Sequence, residues 1–111
     1  MKVRLPLMLA SCFLALSPAM AGSQYGTVTQ IFVRDSDGLL YVVLSGSASG
    51  RAACASGTTY WMIPNETTDT GKRLYATLLA AEIAGRPVQI YGKNTCNRWV
   101  DGEDIDRIEL Y

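Results

Sequence analysis

The chain has 111 residues, ten basic and ten acidic, with no histidine and 49% of its residues hydrophobic. This balance lacks the basic footprint of nucleic-acid binding. Without histidine, the chain also lacks the commonest general base and the commonest metal ligand at neutral pH.

The first segment reads as a leader rather than as part of a fold. Lys2 and Arg4 precede an apolar stretch from Leu5 to Leu16, and Ala19-Met20-Ala21 is a small-x-small cleavage pattern. Residues 1–21 are thus predicted to be a signal peptide cleaved after Ala21, and residues 22–111 a single domain, periplasmic or secreted from a bacterium. The apolar stretch is too short for a membrane span. Leu9-Ala10-Ser11-Cys12 also resembles a bacterial lipobox, which leaves a lipoprotein anchored at Cys12 as the minor alternative. Loss of Lys2 and Arg4 leaves eight basic residues against ten acidic ones, a net charge of about −2.

A domain this small buries only about two thirds of its unfolded surface, so a covalent staple helps it. Beyond the leader the cysteines are Cys54 and Cys96. In an exported chain these are predicted to form a disulfide. A redox pair or zinc site fits poorly, because there is no CxxC and no histidine to complete a set.

Tyr25 to Arg34 is rich in β-branched and aromatic residues and reads as a strand. Asp35-Ser36-Asp37-Gly38 is a turn, which also explains the Asp35/Asp37 pair, and Leu39 to Leu44 returns as the second arm of a hairpin. Ser45 to Gly50 is a loop of small residues, and Arg51 to Ala55 is a short segment holding Cys54. Thr58 to Ile63 is a third strand, stopped by Pro64-Asn65. Asp69 to Gly85 is the one convincing helix, capped by Asp69 or Thr70, free of proline, and ended by Gly85 ahead of Pro87. Leu74, Leu78 and Ala81 form one apolar row and Tyr75, Leu79 and Ile83 a second, together a wide face for a sheet to cover. Ala76, Ala80 and Ala84 leave the opposite arc bland. That arc is either an exposed alanine face or an interface with another protomer. Glu82, near the middle of the apolar face, either reaches water or partners an arginine. Pro87 to Gly92 is a fourth strand, Lys93 to Glu103 a polar loop holding Cys96 and Trp99, and Asp104 to Tyr111 the last strand.

The order is β-β-β-α-β-β: mostly β with one helix. It is the order of the OB-fold, a five-stranded Greek-key barrel, with plain sheet-and-helix arrangements as the alternative.

No GxSxG, phosphate loop or metal-ligand cluster is present, so neither a catalytic residue, nor a cofactor, nor a metal site is expected. Asp101, Glu103, Asp104 and Asp106 form an acidic run whose spacing leaves a weak calcium reading, against the plainer one of solvated charges at a strand start. A binding role fits better, because aromatic rings stack on the flat faces of sugars and bases. Trp99, in a polar loop beside the disulfide, and Arg98, a planar hydrogen-bonding fork next to it, are the first candidates. Tyr41 and Trp61 follow, with Trp61 reading first as core.

GRAACA (Gly50 to Ala55), the strand after it, and a Leu/Ala helix ending in AGRPVQIYG (Ala84 to Gly92) resemble the OB-fold B subunits of AB5 toxins, in the subtilase-cytotoxin and pertussis-like branch. The chain is similar, less closely, to the periplasmic bacterial OB-fold stress proteins. The first resemblance implies a ring-forming homo-oligomer with helices lining a pore, a glycan or cell-envelope ligand on the outer face, and an A-subunit partner. No sugar-binding residue of that family is carried over. The second implies a monomeric structural or stress protein that binds another protein.

Overall fold

A computed structural model describes residues 21–111. Residues 1–20, which hold Cys12 and all but the last residue of the predicted leader, lie outside the described residues. The elements run β1 (Ser23–Gly26), β2 (Val28–Val33), β3 (Leu40–Leu44), a single 3-10 turn (Ala53–Ala55), β4 (Tyr60–Met62), α1 (Asp69–Ala84), β5 (Val88–Gly92) and β6 (Glu103–Leu110). The strands form one sheet in the order β1-β5-β6-β4-β3-β2. Every neighbouring pair is antiparallel except β4 and β6, which run parallel. The chain is mostly β with one helix, on six strands rather than the five expected.

The extra strand arises because the predicted first strand breaks at Thr27. Before the break, Ser23 to Gly26 pair with β5; after it, Val28 to Val33 pair with β3. Ser45, at the end of β3, fastens the break. Its N–H donates to Thr27 O at 2.8 Å, and its hydroxyl accepts the Thr27 N–H at 2.9 Å. The run thus changes partners without losing its backbone bonds, and β1 and β2, the two ends of the sheet, are consecutive in the chain.

Period-two alternation sorts the side chains. Leu40, Val42 and Leu44 of β3, Trp61 of β4, Val88 and Ile90 of β5 and Ile105 of β6 point inward, joined by Leu78 and Ala81 of α1. Fully burying a large apolar side chain contributes about 1.5–3 kcal/mol, so this cluster is the main favourable term. Trp61 is at its centre, wholly buried, with its indole N–H donated to Gln24 Oε1 at 2.9 Å.

The helix begins at Asp69, as its sequence suggested, but with a different cap. Thr68, not Asp69 or Thr70, is the cap, its hydroxyl accepting Gly71 N–H at 3.1 Å. It ends as expected at Gly85, which takes the left-handed conformation (φ 64°) while Arg86 N–H closes on Ala81 O. Only one stripe is buried. Leu78 and Ala81 are covered, Leu74 and Tyr75 are half-buried, and Leu79 and Ile83 are exposed at 37% and 79%. The helix packs mainly against β2 and β6, a narrow seat that covers a single stripe. Ala76, Ala80, Glu82 and Ala84 are also exposed.

Cys54 and Cys96 are joined as a disulfide. It ties the 3-10 turn to the loop after β5 and closes a loop containing β4, α1 and β5. Closing a loop of this length contributes on the order of 4 kcal/mol in the chain-entropy account. Among the described residues no helix is long and apolar enough to cross a membrane.

Candidate ligand-binding cleft

The side chains that alternate outward from β2, β3 and β4 build an aromatic surface. Phe32 and Tyr41 are cross-strand partners, and their rings stack at 4.4 Å between centroids and 8° between planes. Tyr41 reaches Tyr60 at 5.4 Å on the next strand. Met62, the register partner of Tyr41, lies beneath. Over its far edge comes the loop after β5, which delivers Trp99, 36% exposed. Gly102 makes this close approach possible, since a Cβ there would lie 2.4 Å from Met62 Cγ and 2.9 Å from Tyr60. Together Arg34, Leu39, Tyr41, Tyr60, Met62 and Trp99 enclose a half-open cleft of about 120 Å³.

Two arginines frame this cleft differently. Arg34 lies 4.6 Å over the Trp99 ring, a cation–π contact. It also grips Asp37 through Nε (2.8 Å) and Nη2 (2.6 Å). The Arg34 bond first, and the Leu39 N–H second, hold the Asp37 carboxyl well below the usual carboxylate range. Arg98 turns away from the opening. Its Nε lies 3.1 Å from both Glu66 oxygens, and its Nη2 donates to Glu66 Oε1 at 2.7 Å and to Asp37 O at 3.1 Å. Arg98 therefore pins the β2–β3 turn, the segment before α1 and the Trp99 loop together, and its fork is not free for a ligand.

The floor is fixed by a second set of bonds. Tyr60 OH donates to Asp101 Oδ1. Burial, then that bond, pushes the Tyr60 phenol up to about 12, so it stays neutral at any physiological pH. Thr58 Oγ1 donates to Asp101 O at 2.7 Å. Asp104, buried at the start of β6, accepts Thr95 Oγ1 (2.7 Å), Asn97 N–H (2.9 Å) and Arg98 N–H (3.3 Å). Its neighbour Glu103, also buried, accepts N–H groups from Gly22 (3.0 Å), Ala52 (2.5 Å) and Asn94 (3.3 Å). The acidic run does not converge on a cation: Glu103 and Asp104 serve different loops, Asp101 takes the tyrosine, and Asp106 is exposed. Among the described residues no three metal-ligating side chains come together.

Of the four ring and fork candidates, Tyr41 and Trp99 line the cleft, Arg98 braces its wall, and Trp61 lies in the core, where its ring is covered and its N–H already bonded. Arg34, Leu39, Tyr60 and Met62 also line the cleft and were not among those candidates, nor were Phe32, stacked on Tyr41, and Glu66, the partner of Arg98. Phe32 and Tyr60 alternate correctly within predicted strands, and that period was the available signal. Compared with protein-family models, curated proteins and solved structures, the chain matches none.

The Arg98–Glu66 brace has a pH signature. Arg98 lowers the Glu66 carboxyl below its ordinary value of 4.5. A carboxyl lowered in the folded state gives stability that is fully present above its unfolded value and is lost as pH falls through the lowered one. Wild-type melting temperature is therefore expected to drop below about pH 4.5 by more than that of Glu66→Gln, which has no such group to protonate. Parallel acid limbs in thermal melts of the two proteins would remove the brace from the stability balance.

Proposed function

We propose that the protein is an exported, non-catalytic binding module of OB-like barrel form, which holds a glycan or other cell-envelope ligand in the Tyr41–Tyr60–Trp99 cleft. The observation that carries this reading is the cleft itself. It offers stacked or tilted aromatic rings from three adjacent strands, the loop-borne Trp99 ring with a cation over it, and a neutral Tyr60 phenol at its floor. Sugar rings carry apolar C–H faces edged by hydroxyls, and such a surface suits both. The barrel reading is supported by the consecutive end strands β1 and β2, by the parallel β4–β6 pair, and by the helix between β4 and β5. In an OB barrel the ligand face lies on the second and third strands, flanked by the loop between the first two strands and the loop between the last two. The cleft has the corresponding surroundings: β3, β4, the β2–β3 turn and the β5–β6 loop. Export is supported by the leader sequence and the disulfide.

A glycan array tests the binding role. A sugar-specific signal is expected from the wild-type protein, with Tyr41→Ala and Trp99→Ala each weakening it about fivefold or more, as the loss of about 1–3 kcal/mol per stacked ring implies. A flat response across a broad array would count against this role.

Self-association through α1 is the second part of the reading, and the exposed Leu79 and Ile83 beside Ala76 and Ala80 favour it. Light scattering is expected to give a multiple of the protomer mass, near five for a toxin-B-like ring, and Ala80→Arg is expected to reduce it to one without changing the circular dichroism spectrum. A multiple that survives Ala80→Arg puts the contact elsewhere. A wild-type monomer ends the ring reading, leaves an A-subunit partner without a platform, and favours the alternative of a monomeric envelope protein whose apolar helix face meets another protein.

A further inference from the structure

A second pocket, of about 220 Å³, opens among Gln24, Gly46, Ser47, Arg51, Ser56 and Thr59, and shares no residue with the aromatic cleft. This volume is well above the roughly 10–15 Å³ that one water needs. Its only charged side chain is Arg51, and that side chain is held in an unusual way. The guanidinium carbon lies over the buried Trp61 ring, 4.3 Å from its centroid. Its Nη1 donates to Tyr60 O at 2.9 Å, which fixes its rotation. Its Nη2 is buried and has no acceptor among the described residues. Among the described residues Arg51 makes no ion pair with a carboxylate. Glu103, the carboxylate whose charge acts on it, already accepts three backbone N–H groups.

A half-buried cation without a partner is costly, since both its charge and its N–H group lose water without replacement. The cost is visible as a lowered basicity of Arg51, caused first by burial. Structures keep such groups where something else completes them. Arg51 lines the pocket, and its planar guanidinium, held by Trp61 and by Tyr60 O and with Nη2 unpaired, matches the oxygens of a carboxylate, sulfate or phosphate better than any neutral group. The rest of the wall includes the hydroxyl-bearing residues Ser47, Ser56 and Thr59 and no carboxylate residue.

We propose that this pocket is an oxyanion site, with Arg51 as the charged donor and the Ser47, Ser56 and Thr59 hydroxyls completing it around a carboxylate, sulfate or phosphate group. The site is independent of whether the aromatic cleft takes a sugar. Its ligand is the anionic group itself, free or carried on a larger molecule.

The test is a titration of the ¹⁵N-labelled protein with sodium acetate, sodium sulfate and sodium phosphate, each matched in ionic strength to sodium chloride. A saturable shift is expected for the Arg51 Nε–H signal and the Ser47 and Thr59 amides, with at least one oxyanion and not with chloride. Saturation by acetate alone identifies a carboxylate site, and saturation by sulfate or phosphate a tetrahedral-anion site. Arg51→Gln is expected to abolish the saturation. Thr59→Val, which leaves the Arg51–Trp61 stack in place, is expected to weaken it threefold or more and keeps the test decisive should Arg51→Gln unfold. Shifts that grow linearly and equally in chloride would overturn the proposal, as would saturation that neither variant alters.

Discussion

Two adjacent buried carboxylates, Glu103 and Asp104, are the constraint on which the rest of this structure depends. Neither is neutralised by an ion pair among the described residues; both are satisfied by hydrogen bonds, mostly from backbone N–H groups. Glu103 gathers Gly22, Ala52 and Asn94, which stand at the entry to β1, the segment before the 3-10 turn and the exit from β5. Asp104 holds the next stretch of the same loop through Thr95, Asn97 and Arg98. An ionised carboxylate that accepts several N–H groups makes strong, short-range bonds, and it would be very costly to bury without them. Three loops that differ in sequence position are therefore locked to one point on β6. Gly92 keeps that point open, since a Cβ there would fall 1.7 Å from Glu103 Oε2.

The cleft follows from this arrangement. Once Asp104 fixes residues 95 to 98, the disulfide can reach back to Cys54, Arg98 can reach Glu66, and Trp99 is carried over the edge of Tyr60 and Met62. Arg34 then has a ring to lie on. The rigid strands place Phe32, Tyr41 and Tyr60, while the loop contributes the element that closes over them. The cleft is thus half sheet and half braced loop: the sheet sets the spacing of the rings and the loop sets the cleft's width. Arg51 belongs to the same economy on the other side of β4, where its stack on Trp61 is one more use of that buried ring.

Much of the fold was legible in the sequence because it rests on local rules. The helix, its Gly85 stop, the Arg34–Leu39 turn and the strand alternation each depend on residues a few positions apart. The disulfide was legible from cysteine count once the leader was set aside. What the sequence hid depends on long-range partners. Arg98 looked like a free fork because Glu66 is 32 positions away. Glu103 and Asp104 looked like solvated charges or weak calcium ligands because their donors are backbone groups of distant loops. The break at Thr27 needed Ser45, and the exposure of Leu79 and Ile83 needed the narrow seat that only the folded sheet defines. Tyr41 and Trp99 were found for their chemistry and position, whereas Trp61 had the same chemistry on an inward-facing position of its strand.

The measurement that bears most directly on the cleft uses the two indole N–H signals in a ¹H–¹⁵N spectrum. Trp61 and Trp99 are the only tryptophans; one is bonded to Gln24 in the core and the other is at the cleft's edge. On titration with a pool of bacterial and host cell-surface oligosaccharides, the Trp99 indole signal is predicted to shift and saturate while the Trp61 signal stays in place. A saturating ligand that leaves the Trp99 signal unmoved, or a pool that moves neither signal, would contradict the assignment of sugar recognition to this cleft.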